Sequence, residues 1–289
     1  MHDQAQRLRS MVAKQSQSSD KNTRIITVTS GKGGVGKSNF VLNYAIGLSE
    51  SGSKVVVIDA DVGFANIDVL MNVKPTKTLA DLMRGEATIW EVLEKGPQNV
   101  EYIAGGSGLQ ELLNIDADRY DYVIEQLGAL QGYADYVLID TGAGLNEQSL
   151  RLLLASDQIY VILTPEPTSI TDAYALIKMV TARDNSVPMQ LVVNRAQTPI
   201  EGKEAADKIS LVAERFLELK LSTLCILPDD PSVAKSVKKQ MPFLLAAPNS
   251  EISRSMKSMI QAQKNGDVQQ VNQSRGMKQF LHRMVRLFR

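Results

Sequence analysis

A glycine-rich stretch at residues 28–38, VTSGKGGVGKS, most restricts the folds open to this chain. Residues 31–38 match the pattern G-x-x-x-x-G-K-[ST] between a β-branched run and a helical stretch, which is the context this pattern requires. Backbone N–H groups and a helix N-terminus then converge on one point and bind phosphate. The nucleotide-binding residues predicted from this loop are Gly31, Gly33, Gly34, Val35, Gly36, Lys37, Ser38 and Asn39.

Two polar side chains at the end of the loop complete the expected phosphate site. Lys37 would reach the β- and γ-phosphates of a nucleotide, and the Ser38 hydroxyl would ligate Mg²⁺. Lys32 stands ahead of the glycines, where its side chain need not point at the same phosphates. Since one lysine is enough for one bound phosphate, Lys32 requires a separate explanation.

Apolar runs rich in β-branched residues alternate with helical stretches along the 289-residue chain. Such runs, without polar alternation, are typical of parallel strands covered by helices on both faces. The sequence therefore predicts an α/β fold with a doubly wound, mostly parallel sheet. Its expected strands span residues 25–29, 54–59, 99–105, 136–140, 159–164, 190–194 and 224–228, and its expected helices include residues 38–50, 146–155, 169–182 and 249–264.

Composition and charge exclude several classes of protein. The formal net charge is zero, so no overall field favours nucleic acid or a membrane. Cys225 is the only cysteine, which rules out a disulfide within the chain and argues against an iron–sulfur carrier. Residues 1–24 lack an apolar signal segment, and the apolar runs are too short to cross a bilayer. We expect a cytoplasmic protein with no specific nucleic-acid partner.

The motif KGGVGKS, residues 32–38, resembles the deviant Walker A signature of the ATPase group that contains MinD, ParA and the nitrogenase iron protein. The resemblance implies a P-loop NTPase fold of the MinD/ParA type, ATP and Mg²⁺ as cofactors, and an ATP-dependent homodimer. It also implies that Lys32 crosses the dimer interface to the phosphates bound by the second copy. A solvated surface lysine is the alternative.

The segment IDADVGFANID, residues 58–68, matches the switch I pattern of the same group, D-x-D-x-G-x-x-N. The matching residues are Asp59, Asp61, Gly63 and Asn66. By this resemblance Asp61 orients the attacking water, since a lone carboxylate is a weak base and positioning matters more than proton removal. A capping aspartate at the end of the strand is the alternative. The expected catalytic residues are Lys32, Lys37 and Asp61.

A second acidic segment, YVLIDTGAGL at residues 136–145, resembles a Walker B strand. Its apolar run brings Asp140 to the end of a predicted strand, where it would hold Mg²⁺ through water. The glycines that follow would sense the γ-phosphate as a switch II loop. The expected metal-binding residues are Ser38, Asp59 and Asp140.

Two later segments resemble the adenine pocket of MinD-like proteins. Asn194 and Arg195 follow a predicted strand, and a loop with Pro228, Asp229 and Asp230 follows the next one. The resemblance implies that these residues contact the base. Ordinary strand-to-loop turns are the alternative at both places.

Residues 275–289 form a basic amphipathic pattern with five cations and no acid. On a helical wheel at 100° per residue, the apolar residues of this segment fall on one arc and the cations on the opposite arc. This arrangement is typical of a helix at a membrane surface. Core packing and partner binding are the alternatives, and a further hypothesis is that the ADP-bound monomer holds this helix in a groove on its own surface. A polar tether at 265–274, with a reach of roughly 33 Å, argues against fixed packing. The expected membrane-contacting residues are Met277, Phe280, Leu281, Met284, Val285 and Phe288.

The start of the chain distinguishes members of the group. Residues 3–9, DQAQRLR, resemble the D-Q-A-x-x-L-R motif of the flagellar regulator family FlhG, also called YlxH or FleN. In that family the motif stimulates the GTPase FlhF, which implies FlhF and flagellar basal-body components as partners. The matching residues are Asp3, Gln4, Ala5, Leu8 and Arg9.

These resemblances predict a membrane-associating ATPase that regulates flagellar number or placement and hydrolyses ATP slowly. The predicted division is an activator peptide and linker (1–23), an ATPase domain (24–264), a tether (265–274) and a membrane-targeting helix (275–289). We expect localisation in the cytoplasm and, reversibly, at the inner face of the cell membrane. The alternatives are a MinD-type division-site regulator and a nucleotide-gated scaffold with negligible turnover.

Overall fold

The computed structural model describes residues 23–61, 66–106, 117–144, 146–266, 274 and 276–286. Within them the strands are β1 (Arg24–Thr29), β2 (Val55–Ala60), β3 (Leu93–Lys95), β4 (Glu101–Ile103), β5 (Tyr136–Thr141), β6 (Gln158–Leu163), β7 (Met189–Ala196) and β8 (Ser222–Pro228). The helices are α1 (Lys37–Glu50), α2 (Asn66–Met71), α3 (Leu79–Met83), α4 (Ile89–Val92), α5 (Ala117–Gly128), α6 (Glu147–Ala155), α7 (Pro167–Arg183), α8 (Pro199–Leu217), α9 (Pro231–Lys238), α10 (Phe243–Ala246), α11 (Glu251–Asn265) and α12 (Gly276–Arg286), with a 3-10 turn at Pro97–Asn99.

All these strands belong to one sheet, in the order β3-β4-β2-β5-β1-β6-β7-β8. Neighbouring strands are parallel except β3 and β4. Every residue of β1, β2 and β6 is buried, as expected for strands covered on both faces. The prediction of a doubly wound, mostly parallel sheet is confirmed.

The sequence does not predict strand β3. This strand has three residues, Leu93–Lys95, and none of them is fully buried. It pairs antiparallel with β4 at one edge of the sheet. Because its sequence, LEK, contains no apolar run, neither alternation nor β-branched content identifies it.

Helices pack on both faces of the sheet. On one face, α1 and α11 meet in a core that includes Phe40, Ile46, Met256 and Ile260. The Tyr44 hydroxyl donates to Gln263 Oε1 at 2.6 Å, and Gln263 Nε2 donates to the Tyr160 hydroxyl at 2.7 Å. These bonds satisfy buried polar groups and join the helix that follows the glycine-rich loop to α11.

The opposite face carries α5, α6, α7, α8 and the last described helix, α12. Parallel strands bring the ends of β1, β2, β5 and β6 to the same edge of the sheet. The strand order places β1 in the middle, so the glycine-rich loop lies beside the segments that follow its neighbouring strands. Ligands bind at this edge in open α/β sheets.

Candidate functional site

The glycine-rich loop connects the central strand β1 to α1. Gly36 has φ +92° and caps α1, and a Cβ there would lie 2.5 Å from Asn194 Nδ2. At Gly31, a Cβ would lie 2.3 Å from the backbone of Asp172 at α7. The first position needs glycine for its left-handed turn and the second for the close approach of α7. The loop therefore presents the N-terminus of α1 to the groove above it, which is an anion-binding arrangement.

Lys37 forms an ion pair with Asp140 in the structure. The Nζ–Oδ1 distance is 2.9 Å, with 7% of the Lys37 side chain exposed and none of Asp140. Burial raises the pKa of the Asp140 carboxyl, and the Lys37 ammonium opposes that rise. Lys37 is thus held at the floor of the groove, next to the position where a phosphate would replace the carboxylate as its partner.

The surroundings of Asp140 fit a magnesium ion. Its Oδ2 is buried without a hydrogen-bond partner among the atoms of the described residues, and the Ser38 side chain lies near enough to this carboxyl group to oppose the rise in its pKa. Carboxylate and hydroxyl oxygens are ligands that Mg²⁺ accepts, and it usually keeps several waters beside one or two carboxylates. In the described part of the chain, no group of three His, Cys, Asp or Glu side chains could hold a metal, so nucleotide and water would complete this site.

Asp59 and Asp140 are register partners on the neighbouring strands β2 and β5. The Asp59 carboxyl accepts hydrogen bonds from the backbone N–H groups of Asp61 (3.1 Å) and Ile67 (3.3 Å). Burial first, and the Asp140 charge second, raise the pKa of Asp59 to about 7. The predicted metal ligands are therefore adjacent in space.

The Asp61 carboxylate lies against the segment that follows β5. A Cβ on Gly142 would come within 2.8 Å of Asp61 Oδ1. Asp61 lines the same groove as Lys37 and Ser38, which is where an attacking water would have to be oriented. Gly63 lies outside the described residues, as does the side chain of Asn66.

The groove above the loop has a volume of about 1550 Å³. The residues around it come from the loop, from Asp61, from the start of α7 and from α9. A nucleoside triphosphate fits within such a volume, since ligand sites generally measure about 300–1,000 Å³. The remaining space lies open at the rim.

The residues predicted to contact the adenine base surround one smaller cavity of about 50 Å³ beside the groove. Gly36, Asn39 and Phe40 also line this cavity. Asn194 Nδ2 donates to the Val35 carbonyl at 2.8 Å. Asp230 caps α9, because its carboxylate accepts from Ser232 N at 2.8 Å. The same carboxylate accepts from Ile252 N, at the start of α11, at 3.2 Å. The cavity gathers Asn194, Arg195, Pro228, Asp229 and Asp230, and their contact with a base stays a prediction.

Lys32 points away from the floor of the groove. Its Nζ lies 3.1 Å from Glu166 Oε2 and 3.1 Å from Thr168 Oγ1, both at the start of α7. The Lys32 side chain is 42% exposed and that of Glu166 is 59% exposed. An ion pair this exposed contributes little to stability, so it can be exchanged for another anion at small cost.

Three comparisons with known proteins identify the family. A family model described as "ParA: NUBPL iron-transfer P-loop NTPase" matches residues 21–263. The antiactivator FleN of Pseudomonas aeruginosa is 35% identical over 82% of this chain and 85% of its own length. The flagellum site-determining protein YlxH of Helicobacter pylori is 36% identical over 81% of this chain and 80% of its own length. The chain belongs to the FlhG (FleN/YlxH) group of the ParA-type P-loop NTPases.

A solved structure agrees on the fold. The septum site-determining protein MinD of Pyrococcus horikoshii, complexed with Mg-ADP, has a TM-score of 0.66 and 24% identity, and the match covers 82% of this chain and 94% of that one. ParA-type NTPases are ATPases generally. Since Cys225 is the only cysteine, this FlhG-type chain lacks the several thiolates that hold iron–sulfur clusters.

Helix α12, which contains most of the predicted membrane-contacting residues, packs against the domain. Met277, Phe280, Leu281 and Met284 are buried in one core with residues of α5, α6 and β1. Gln131 Oε1 accepts from Met277 N at 2.6 Å, and Arg283 pairs with Asp184 at 2.7 Å. This conformation corresponds to the packing alternative, and membrane binding stays a prediction that requires α12 to leave. Among the described helices, none combines the length and apolar content that a bilayer crossing requires.

Other predicted residues lie outside the described part of the chain. The activator motif with Asp3, Gln4, Ala5, Leu8 and Arg9 lies outside the described residues, as do Phe288 and the side chain of Val285. Most of the proposed tether, residues 267–273, lies outside them too. The predicted roles of these segments remain predictions.

Sequence patterns do not indicate the residues that hold Lys32 and α12. Glu166 and Thr168 hold Lys32, while Gln131 and Asp184 hold α12. These contacts join residues 99 to 146 positions apart. No local signal could have identified them.

The raised pKa of Asp59 predicts a pH-dependent stability in nucleotide-free, metal-free protein. Because the folded-state pKa is about 7 and the ordinary value of an aspartate is near 3.8, the folded state binds more protons than the unfolded state between these values. Its stability therefore falls as pH rises toward 7. Lowering the pH from 8 to 6 should raise the free energy of unfolding by about 1.4 kcal/mol through this group. Urea unfolding of wild type and Asp59→Asn would measure it; equal pH dependence in both would contradict the prediction.

Proposed function

We propose that this chain is an ATPase that dimerises on ATP, associates with the membrane and regulates the number or placement of flagella. The observation that carries the flagellar part is its 35–36% identity to FleN and YlxH over four-fifths of the chain. The ATPase part is supported by the buried Lys37–Asp140 pair and the adjacent Asp59 and Asp61. Turnover is slow and Mg²⁺-dependent in this proposal.

Magnesium, when bound, would neutralise part of the phosphate charge. Ser38, Asp59 and Asp140 would hold it, directly or through water. The chain itself supplies the remaining functions. Lys37 leaves Asp140 for the phosphates, the N-terminus of α1 binds the same phosphates, and Asp61 orients water at the rim of the groove.

Dimerisation is assigned to the exposed lysine of the loop. Lys32 pairs with Glu166, which lines the groove, and it is held by groups that a more strongly anionic partner can replace. Phosphate oxygens of a nucleotide in a second copy would be such a partner. A dimer interface excludes water, so an ion pair that is weak on the surface becomes stronger there. ATP would thereby join the two copies.

Membrane association is assigned to α12 after it leaves the domain. Its exposed side carries Lys278 and Arg286, and its apolar side is buried in this conformation. Each cation near an anionic leaflet contributes about 1 kcal/mol, so one helix binds weakly. Two helices on one dimer gain an avidity of roughly 10²–10⁴. The ATP dimer therefore binds the membrane and the monomer does not.

Partner regulation is assigned to residues 3–9. By resemblance to the FlhG motif, this segment stimulates the GTPase FlhF, and basal-body components would be further partners. A peptide of residues 1–23 added to FlhF is the test. Stimulation of GTP hydrolysis is expected, and its absence would favour a division-site regulator of the MinD type.

Vesicle sedimentation tests the assembly part of the proposal. With anionic vesicles, we expect wild type to pellet with ATP but not with ADP, and Lys32→Ala to stay in the supernatant with either nucleotide. The double variant Lys278→Glu and Arg286→Glu should bind the vesicles with roughly 100-fold lower affinity, because exposed cations are replaced by anions. Lys203→Glu with Lys208→Glu on the exposed side of α8 is the charge-matched control. Full pelleting of Lys32→Ala with ATP would refute the dimer model.

A further inference from the structure

The N-terminal segment, residues 1–22, ends at the place on the ATPase domain where the C-terminal helix α12 begins. The Ser274 hydroxyl, just before α12, donates to the Thr23 carbonyl at 2.6 Å. Thr23 is buried at the start of β1, and its own hydroxyl donates to the carbonyls of Leu130 and Ala134. Gln131, beside these residues, accepts from the first turn of α12. Residues 1–22 therefore join the domain next to the surface of α5, α6 and β1 that α12 covers, here called the tail groove.

A stretch within residues 1–22 has the same pattern as the part of α12 that fills the tail groove. Residues 8–14 read LRSMVAK, and residues 277–283 read MKQFLHR. In this alignment Leu8 corresponds to Met277, and the pair Met11 and Val12 corresponds to Phe280 and Leu281. The two stretches agree in residue class at every position except Ala13 against His282, and His282 is exposed.

The matching positions are the ones that the groove contacts. Met277, Phe280 and Leu281 are buried in the core that they share with the groove. Arg283 pairs with Asp184, and Lys14 occupies the corresponding position in residues 8–14. An apolar face of the same spacing and a cation at the same offset would meet the same apolar surface and the same carboxylate.

The chain is long enough for residues 8–14 to take the place of α12 in the tail groove. Eight residues lie between Lys14 and Thr23, so the nine Cα–Cα steps that join them span up to about 30 Å. The helical distance from residue 277 to residue 283 is only about 9 Å. Residues 8–14 can therefore lie along the groove with Lys14 at Asp184 and return to Thr23.

We propose that residues 8–14 are a second occupant of the tail groove and bind there when α12 leaves. The inference rests on the proposed release of α12. Residues 8–14 form the weaker occupant, because Phe280, Leu281 and Met284 correspond to the smaller or polar Met11, Val12 and Gln15. Covering the groove with them removes apolar surface that release would otherwise expose to water.

The exchange couples the two ends of the chain. Leu8 and Arg9 belong both to the groove-binding stretch and to the motif at residues 3–9. A partner that binds this motif would withdraw residues 8–14 from the groove and leave it open for α12. Partner binding to the motif and release of α12 would thus oppose each other.

Carbodiimide cross-linking of the full chain, without vesicles or nucleotide, tests the proposal. Arg283→Glu places like charge opposite Asp184 and weakens docking of α12, while Arg283→Lys keeps the ion pair. We expect coupling of Lys14 to Asp184, located by mass spectrometry, to rise about tenfold in Arg283→Glu relative to Arg283→Lys. Adding Met11→Glu and Val12→Glu should abolish the rise. Lys21 is the internal control, because a segment that is only tethered nearby would couple both lysines equally.

Hydrogen exchange completes the test. If residues 276–286 lose protection in Arg283→Glu while Lys14 couples no better to Asp184 than Lys21 does, the inference is wrong. If α12 keeps its protection in Arg283→Glu, the same cross-linking is measured in Leu281→Lys, which releases α12 by placing a charge in the core. Protection of residues 8–14 only when anionic vesicles are present, without coupling to Asp184, would identify lipid as their partner and overturn the inference. Since none of these readouts needs ATP-dependent pelleting, the proposed function can stand when this inference fails.

Discussion

Asp61→Ala is expected to lower the rate of ATP hydrolysis about 100-fold or more while ATP binding stays within a few-fold of wild type. Asp61 lines the groove beside Lys37 and Ser38, and its carboxylate is placed against Gly142. It makes no part of the loop that binds phosphate, so its loss removes the orientation of water and leaves the phosphate site intact. Steady-state phosphate release and equilibrium nucleotide binding measure the two quantities separately.

The control for this substitution is Glu201→Ala, which removes another carboxylate that lines the same groove. It should leave the rate unchanged. Because a variant that cannot hydrolyse ATP keeps its dimer, Asp61→Ala should also pellet with vesicles in ATP as wild type does. Equal hydrolysis rates for Asp61→Ala and wild type would remove Asp61 from the mechanism and favour a nucleotide-gated scaffold.

The fold and the phosphate site could be predicted from sequence because their signals are local. The strand–loop–helix context at residues 28–38 restricts the backbone, and apolar runs without alternation indicate a parallel sheet. Asp59 and Asp140 follow such runs, so the shared edge of a parallel sheet brings them together. The short edge strand β3 has no such run, so the sequence does not predict it.

The contacts that hold Lys32 and α12 in their positions could not be predicted. The pair Lys32 with Glu166 and the pair Arg283 with Asp184 depend on how α7 and α12 pack, and packing leaves no pattern in a single sequence. The amphipathic pattern at residues 275–289 indicates an apolar face but not its neighbour. The same face packs against a protein core in this structure and would contact lipid after release.

Lys37→Met is expected to have two separable effects. The affinity for ATP should fall about 100-fold, because a charge-assisted contact to phosphate is lost. The nucleotide-free protein should also lose about 3–5 kcal/mol of stability at pH 8, since Asp140 is fully buried and would lose the cation that compensates it. Lys32→Met in the same loop is the matched control. It should leave stability unchanged, because its ion pair is exposed.

The pH dependence and a second substitution separate these effects. Burial raises the pKa of Asp140, and the Lys37 ammonium opposes that rise; without the ammonium the folded protein takes up a proton at higher pH. The cost of Lys37→Met should therefore shrink as the pH falls, because protonation removes the uncompensated charge. Combining Lys37→Met with Asp140→Asn should restore most of the stability at pH 8 and leave ATP binding weak. If the double variant is no more stable than Lys37→Met alone at pH 8, the buried ion pair is not what Lys37 contributes to the folded state.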